Sequence, residues 1–290
     1  MMVEKIYSLF LLAGFGLALA MLAFSASPGF AAEGFAKTTV GNMEVITLVD
    51  TESEFDPAIF QGADPQLIKQ LAGDKKLPSS INAFVVKKGE TVILVDTGMG
   101  NKIYEHLQAA GLKQDDIDAV LLTHCHGDHI KGLFENGKKA FPNADVWIAP
   151  KELEFWQKQN ANQVEQCRSE YGDFHEITPD EKTSVLIPEI TAIDIAGHTP
   201  GHTAFLIQSE GQSFLLAADL LHSVTLQFSH PEICARFDGD QDAAVKIRRE
   251  ILSRAAENLW GFAGAHIPWP GFGHVEKEGK AFRFIPKEMK

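Results

Sequence analysis

The run "AVLLTHCHGDHIKG" at residues 119–132 constrains this chain more than any other stretch. Its first half is apolar and short, as expected of a strand covered on both faces. Its second half places His124, His126, Asp128 and His129 within six positions. Side chains alternate along a strand, so His124 and His126 leave the same face while Cys125 points away. Gly127 allows a tight turn that brings Asp128 and His129 to the same end. Four nitrogen and oxygen donors then project from one loop, an arrangement that is costly without a cation to organise it. Imidazole and carboxylate are the ligands that a borderline divalent ion such as zinc prefers.

One loop cannot enclose a metal, so further ligands are required from other strand ends. Three candidates each follow an apolar run: His202 in "GHTPGHT", Asp219 in "LLAADLLH" and His266 in "GAHIPWPGFGH".

The rest of the chain supplies strands and helices in two similar series. In the first, residues 43–49, 81–86, 91–96 and 119–123 read as strands, with a helix over 102–110 stopped by Gly111. In the second, 145–149, 190–195, 203–208 and 213–217 read as strands, with helices over 151–160 and 242–258. Within the last helix Val245, Ile247, Ile251, Leu252 and Ala255 fall mostly on one face, which predicts packing on a sheet. Two such series suggest two sheets packed face to face with helices outside. There is no fixed-period repeat and no low-complexity linker, so one domain is the simpler expectation.

Composition narrows the partners. Lys and Arg total 26 against 39 acids, a net charge of -13 that argues against a nucleic-acid backbone as partner. Residues 6–24 form an almost unbroken apolar run after Lys5, followed by small residues. That layout predicts a signal peptide over 1–35, cleaved within 31–36 at Gly29-Phe30-Ala31 or Gly34-Phe35-Ala36, rather than a retained anchor. The mature protein, 36–290, is then expected in the periplasm or outside the cell, with no stable membrane anchor. Cys125, Cys167 and Cys234 are an odd set. Three unpaired small residues are the simplest reading, with a Cys167 to Cys234 bridge as the alternative.

The motif HxHxDH, then GHTPGH, then an Asp after a strand, then a late His, resembles the metallo-β-lactamase-fold hydrolases. The resemblance runs from about Met43 to the C-terminus and includes "VDTG" at residues 95–98. It implies an α/β (α+β) fold, the four-layer αββα sandwich, in a single domain. It implies two divalent metal ions, zinc first, with iron, manganese or cobalt open. One would be held by His124, His126 and His202, the other by Asp128, His129 and His266, with Asp219 bridging them. True β-lactamases place a Cys at the bridging position, so Asp219 makes antibiotics a poor first substrate. Asp96 is expected to orient a ligand histidine, and His198 to stabilise a turn. His106, His175 and His230 read as solvent or core histidines.

Two ions so placed lower the pKa of a bridging water to about 7 and polarise the electrophile, giving hydrolysis by a bridging hydroxide. Asp128 is the candidate for moving the proton to the leaving group, and Asp219 and His222 complete the catalytic set. The stretches "ADLLHSVTLQFSHPE" and "HIPWPGFGHV" look closest to the methyl parathion hydrolase and lactonase-like group. Members of that group open lactones and aryl esters, and some cleave organophosphate triesters. His222 stands where acyl-homoserine lactonases typically carry a Tyr. Trp156, Phe228, Trp269 and Phe272 are candidates for the apolar pocket. The substrate is therefore expected to be a small uncharged lactone or ester, and a homodimer is implied by the resemblance alone. Alternatives are an acyl-homoserine lactonase proper, a glyoxalase II-like thioesterase and a nuclease. A one-iron sulfur dioxygenase and a non-catalytic exported metal-binding protein represent other classes. The thioesterase lacks room for its usual C-terminal helical domain after His266, and the non-catalytic reading predicts a missing ligand that is not seen.

Overall fold

The computed structural model describes residues 34–73, 75–179 and 186–288. Residues 1–33 of the expected signal segment, and with them the first half of its cleavage window, lie outside these residues. Among the described residues, no helix is long and apolar enough to cross a membrane.

Two large sheets form the centre. The first has seven strands in the order Phe35–Val40, Met43–Phe55, Leu77–Lys88, Thr91–Val95, Ala119–Leu121, Asp145–Ile148 and His175–Glu176. The second has six, in the order Ile190–Asp194, Thr203–Ser209, Gln212–Leu216, Gly261–Ala263, Phe272–Glu278 and Ala281–Pro286. Alternation along each strand builds the layers. Val45, Phe84, Val86, Ile93, Val95 and Leu121 point inward and meet Phe205, Ile207, Phe214, Leu216 and Phe272 of the second sheet. Their strand neighbours Ile46, Leu48, Val85, Leu94 and Val120 point outward. There they pack with Ile103 and Leu107 of helix Ile103–Ala109, Trp156 of helix Pro150–Gln159, and Val164 of helix Ala161–Tyr171. On the far side Ala204, Leu206, Leu215 and Phe262 pack against Ile251, Leu252 and Ala255 of helix Gln241–Glu257. The expected αββα sandwich is what forms. Each fully buried Leu, Ile or Phe in it contributes about 1.5–3 kcal/mol of transfer free energy.

Several elements depart from the expected bounds. Strand Met43–Phe55 runs well past residue 49, through a bulge between Val49 and Thr51. The Gly261–Ala263, Phe272–Glu278 and Ala281–Pro286 strands were not expected. One is only three residues long, and the other two, the penultimate and last strands of the sheet, are interrupted by exposed residues such as His274, Glu276 and Arg283, leaving no long apolar run to read. In the long helix the buried stripe is Ala244, Arg248, Ile251, Leu252 and Ala255, so an arginine occupies the centre of an otherwise apolar face. The three cysteines carry no disulfide. Cys167 is packed beneath the first sheet and Cys234 lies in a separate two-stranded ladder with residues 60–61, so the bridge considered for them does not form.

The topology gathers strand ends. Thr91–Val95, Ala119–Leu121 and Asp145–Ile148 run parallel, as do Gln212–Leu216 and Gly261–Ala263. Their carboxyl ends deliver Asp96, the His124 loop, Asp219 and His266 to one edge of the sandwich, where ligand sites of open α/β sheets form.

Candidate metal centre and cleft

The first ligand loop is held from behind. Asp96 ends its strand in the left-handed region, φ 58°, which turns its carboxylate back over the next strand. There it accepts hydrogen bonds from Thr123 N at 2.9 Å, Thr123 Oγ1 at 2.7 Å and His129 Nδ1 at 2.8 Å. A carboxylate only accepts, so His129 carries its proton on Nδ1 and presents the Nε2 lone pair to the centre. Asp96 therefore orients His129, the role expected of it. The same logic applies to His266, whose Nδ1 donates to Ser80 O at 2.9 Å. It applies again to His198, whose Nδ1 donates to Asp238 Oδ1 at 2.9 Å.

The inward-facing atoms then converge on Asp219. Its Oδ1 lies 3.2 Å from His129 Nε2, and its Oδ2 lies 3.2 Å from His266 Nε2, 3.4 Å from His198 Nε2 and 3.7 Å from His124 Nε2. Beside it, His126 Nδ1 is 2.9 Å from His198 Nε2 and 3.2 Å from His124 Nε2. Two ligand sets stand side by side, His124, His126, His198 and Asp219, and Asp128, His129 and His266, each with donor atoms within 4.8 Å of one another; the groups Asp219, His222 and His266, and His198, His222 and Asp238, meet the same limit and adjoin them. His129 Nε2 and Asp219 Oδ1 are buried and lack any hydrogen-bond partner. At 3.2 Å these two atoms are held together only by a positive charge between them, a proton on Nε2 or a metal ion in its place. The donor set therefore fits divalent metal ions.

The second histidine of GHTPGHT does not join either set. His202 is buried, and its Nε2 accepts a hydrogen bond from Asp219 N at 3.3 Å. Its lone pair is thus committed to the turn that carries Asp219. The roles expected for the pair are reversed: His198 faces the centre and His202 stabilises a turn. No local signal separates them, because the partner that aims His198 lies 40 positions further on.

Electrostatics follow from burial. Burial pushes the His124 and His202 rings well below their ordinary pKa, and His126 and His222 down to about 4, so these imidazoles are neutral at pH 7. Burial opposes charge on His129 and His266 too, but the carboxylates of Asp219 and its neighbours outweigh it and raise both. Burial alone would raise Asp219, yet His266, His129 and His124 hold it well below the carboxylate range. Asp128 is also lowered, and its side chain, 29% exposed, is open to the cleft.

Two polar residues outside the centre tie its loops together, and neither was expected. Glu152, fully buried, accepts from Cys125 N at 3.0 Å, Thr199 Oγ1 at 2.7 Å and Gly201 N at 3.0 Å, joining the HxHxDH loop to the GHTPGH loop. Arg248 donates to Leu220 O at 2.6 Å, to Pro231 O and Ile233 O at 2.9 Å each, and to Asp238 Oδ2 at 3.1 Å.

The ligand sets open into a cleft of about 360 Å³, walled by Phe55 and Phe237 and floored by His126, Asp128, His198, Asp219, His222 and His266. A larger trough, about 600 Å³, lies beside helix Pro65–Ala72, but it contains neither ligand set. His222 stacks on His266 with ring centroids 4.9 Å apart, and its Nε2 lies 3.3 Å from Asp219 Oδ2. The four aromatics expected in the pocket are elsewhere. Trp156 is in the helix layer over the first sheet, Phe228 packs on Phe262 and Phe284, and Phe272 is in the core between the sheets with Trp269 packed against it. Phe272 and Trp269 are carried away from His266 because the chain turns directly into the strand Phe272–Glu278. His106 Nδ1 donates to Val49 O at 2.6 Å in the core, while His175 and His230 are at the surface.

Comparison with known proteins agrees with this geometry. The sequence profile described as the Metallo-beta-lactamase superfamily matches residues 77–275. A crystal structure of AbOPH, a hydrolase in the beta lactamase superfamily, superposes with a TM-score of 0.81 at 27% identity, covering 89% of this chain and 98% of that one. AidC, a dizinc quorum-quenching lactonase solved with its N-hexanoyl-homoserine product, superposes at 0.79 with 26% identity and the same coverage. Exodeoxyribonuclease WalJ of Streptococcus pneumoniae is 33% identical over 90 residues, 29% of this chain and 34% of that protein. The chain thus matches about a third of that relative's length.

Proposed function

We infer that this chain, which belongs to the metallo-beta-lactamase superfamily, is a metal-dependent hydrolase of uncharged lactones or esters. The observation that carries the reading is the pair of ligand sets with Asp219 facing histidines of both, at the floor of a cleft walled by Phe55 and Phe237. His124, His126 and His198 would hold one ion, Asp128, His129 and His266 the other, and Asp219 would reach both. Two divalent ions in these places supply Lewis acidity and a water of near-neutral pKa.

The chain's own residues do the rest. Asp128, the most open carboxylate of the centre, is placed to take a proton from the attacking water and release it toward the leaving oxygen. Phe55 and Phe237 exclude water over the site and receive an apolar acyl or aryl group. His222 lies under the same wall, neutral, with Nδ1 unpaired and Nε2 toward Asp219 Oδ2. A ring that rotates away from Asp219 when a substrate arrives can donate to its carbonyl or phosphoryl oxygen. The cleft is lined by no Lys or Arg among the described residues, which favours an uncharged substrate over an anionic one. Zinc is the first choice of metal for a centre built of imidazole and carboxylate. Export of the mature chain is part of the same reading, resting on the apolar N-terminal run.

The test is kcat/KM of the metal-loaded protein on a long-chain acyl-homoserine lactone and on a dialkyl aryl phosphate, side by side. A large preference for the lactone makes the protein a lactonase. A preference for the phosphotriester supports the methyl parathion hydrolase-like alternative. Activity on neither, with both metals bound, overturns the reading.

A further inference from the structure

Resting on the assignment of His198 as a ligand, we propose that Asp238 and Arg248 are positioning residues. Together they lock His198 into the tautomer that can bind metal and set its spacing from Asp219. The lock works through the two oxygens of one carboxylate. Asp238 Oδ1 receives His198 Nδ1 at 2.9 Å, while Oδ2 receives both Arg248 Nη2 and Ala235 N at 3.1 Å each. All of these groups are buried. With an acceptor facing Nδ1, the proton must reside there, and Nε2 keeps the lone pair that points at the centre.

Arg248 adds the spacing. Its guanidinium binds Leu220 O, directly after Asp219, and at the same time the carboxylate that aims His198. One rigid planar group on the long helix therefore spans the supports of two ligands that come from different strands. The chain buries a cation in the middle of an apolar helix face and surrounds it with four acceptors. A helix needed only for packing would place Leu there.

The arrangement makes an isosteric substitution informative. In Asp238→Asn the amide has one oxygen and one NH2. The position facing Arg248 and Ala235 N meets two donors, so the amide oxygen must occupy it. The NH2 then faces His198 Nδ1, which must become the acceptor, and the proton moves to Nε2, where it blocks the metal lone pair. The expected result is a change of the His198 tautomer from Nδ1–H to Nε2–H. It is read by long-range 15N–1H NMR of the metal-free protein and assigned by comparison with His198→Gln. Zinc affinity at the His124, His126, His198 set should fall by about 10- to 100-fold. Arg248→Met should weaken zinc at the same set while leaving the tautomer as it is, because Asp238 remains a carboxylate.

An unchanged tautomer in Asp238→Asn overturns the proposal. So does an equal loss of zinc in Asp238→Asn and Asp238→Ala without a tautomer change, since that marks a purely structural role. If Asp238→Asn does not fold, unchanged zinc affinity in Arg248→Met also overturns the proposal. The NMR readout needs neither metal nor substrate, so it stands apart from the fate of the hydrolase assignment.

Discussion

Removing the Glu152 carboxylate should loosen the metal centre from outside it. Glu152 holds three donors: Cys125 N between His124 and His126, and Thr199 Oγ1 and Gly201 N, one and three residues after His198. In Glu152→Ala the Thr199 hydroxyl can rotate to another acceptor, but the two backbone N–H groups cannot, and each buried orphan costs about 1–3 kcal/mol. Against that, the variant no longer buries a carboxyl whose pKa burial raises, which offsets part of the loss. A net destabilisation of about 3 kcal/mol is expected. In Glu152→Gln the amide oxygen still serves one side, the NH2 meets a single backbone N–H on the other, and about half that loss is expected. The assay is urea unfolding of the metal-free proteins, comparing midpoints at constant slope. Zinc titration should then show weaker binding at the His124, His126, His198 set, whose two loops Glu152 joins, with less change at Asp128, His129 and His266. A Glu152→Ala protein within about 1 kcal/mol of the parent at unchanged slope would refute the reasoning.

Other outcomes follow from the same geometry. Phe237→Ala should raise KM for a long-chain or aryl substrate several-fold while leaving kcat and zinc content nearly unchanged, because Phe237 walls the cleft and is a member of neither ligand set. His202→Ala should destabilise the protein in urea but leave both metals bound, whereas His198→Ala should lose one, read by metal analysis after dialysis. Burial pushes the Cys167 thiol up to about 12 from 9.0. Its folded pKa is above its unfolded one, so its stabilising contribution is complete below pH 9 and is lost as pH rises toward 12. Stability should fall by up to about 1.4 kcal/mol per pH unit in that window, and Cys167→Ala should flatten the fall. Cleavage after residue 36 would cut into the edge strand Phe35–Val40, so if the chain is exported as proposed, N-terminal sequencing of the mature form should find a start before Phe35.

Much of the centre was legible in the chain itself. The donors at 124, 126, 128, 129, 219 and 266 all follow apolar runs, and strand alternation is a local property, so their arrival at one edge could be read without coordinates. The two-sheet core was equally legible, because a buried strand needs an uninterrupted apolar run. The last two strands of the second sheet, Phe272–Glu278 and Ala281–Pro286, were not, since exposed residues such as His274, Glu276, Lys277 and Arg283 break up the apolar run.

Tertiary structure decided the rest, and the reason is the same in each case. Which histidine of GHTPGHT reaches the metal depends on what lies behind its ring. The acceptor behind His198 is Asp238, and the donor in front of His202 is the Asp219 backbone. The cleft is walled by Phe55, at the end of strand Met43–Phe55, and Phe237, from a turn far away in sequence, while aromatics adjacent to a ligand in sequence turn back into the core. Residue type and local period determine what a segment can offer. Only packing across the sandwich determines which atom it faces.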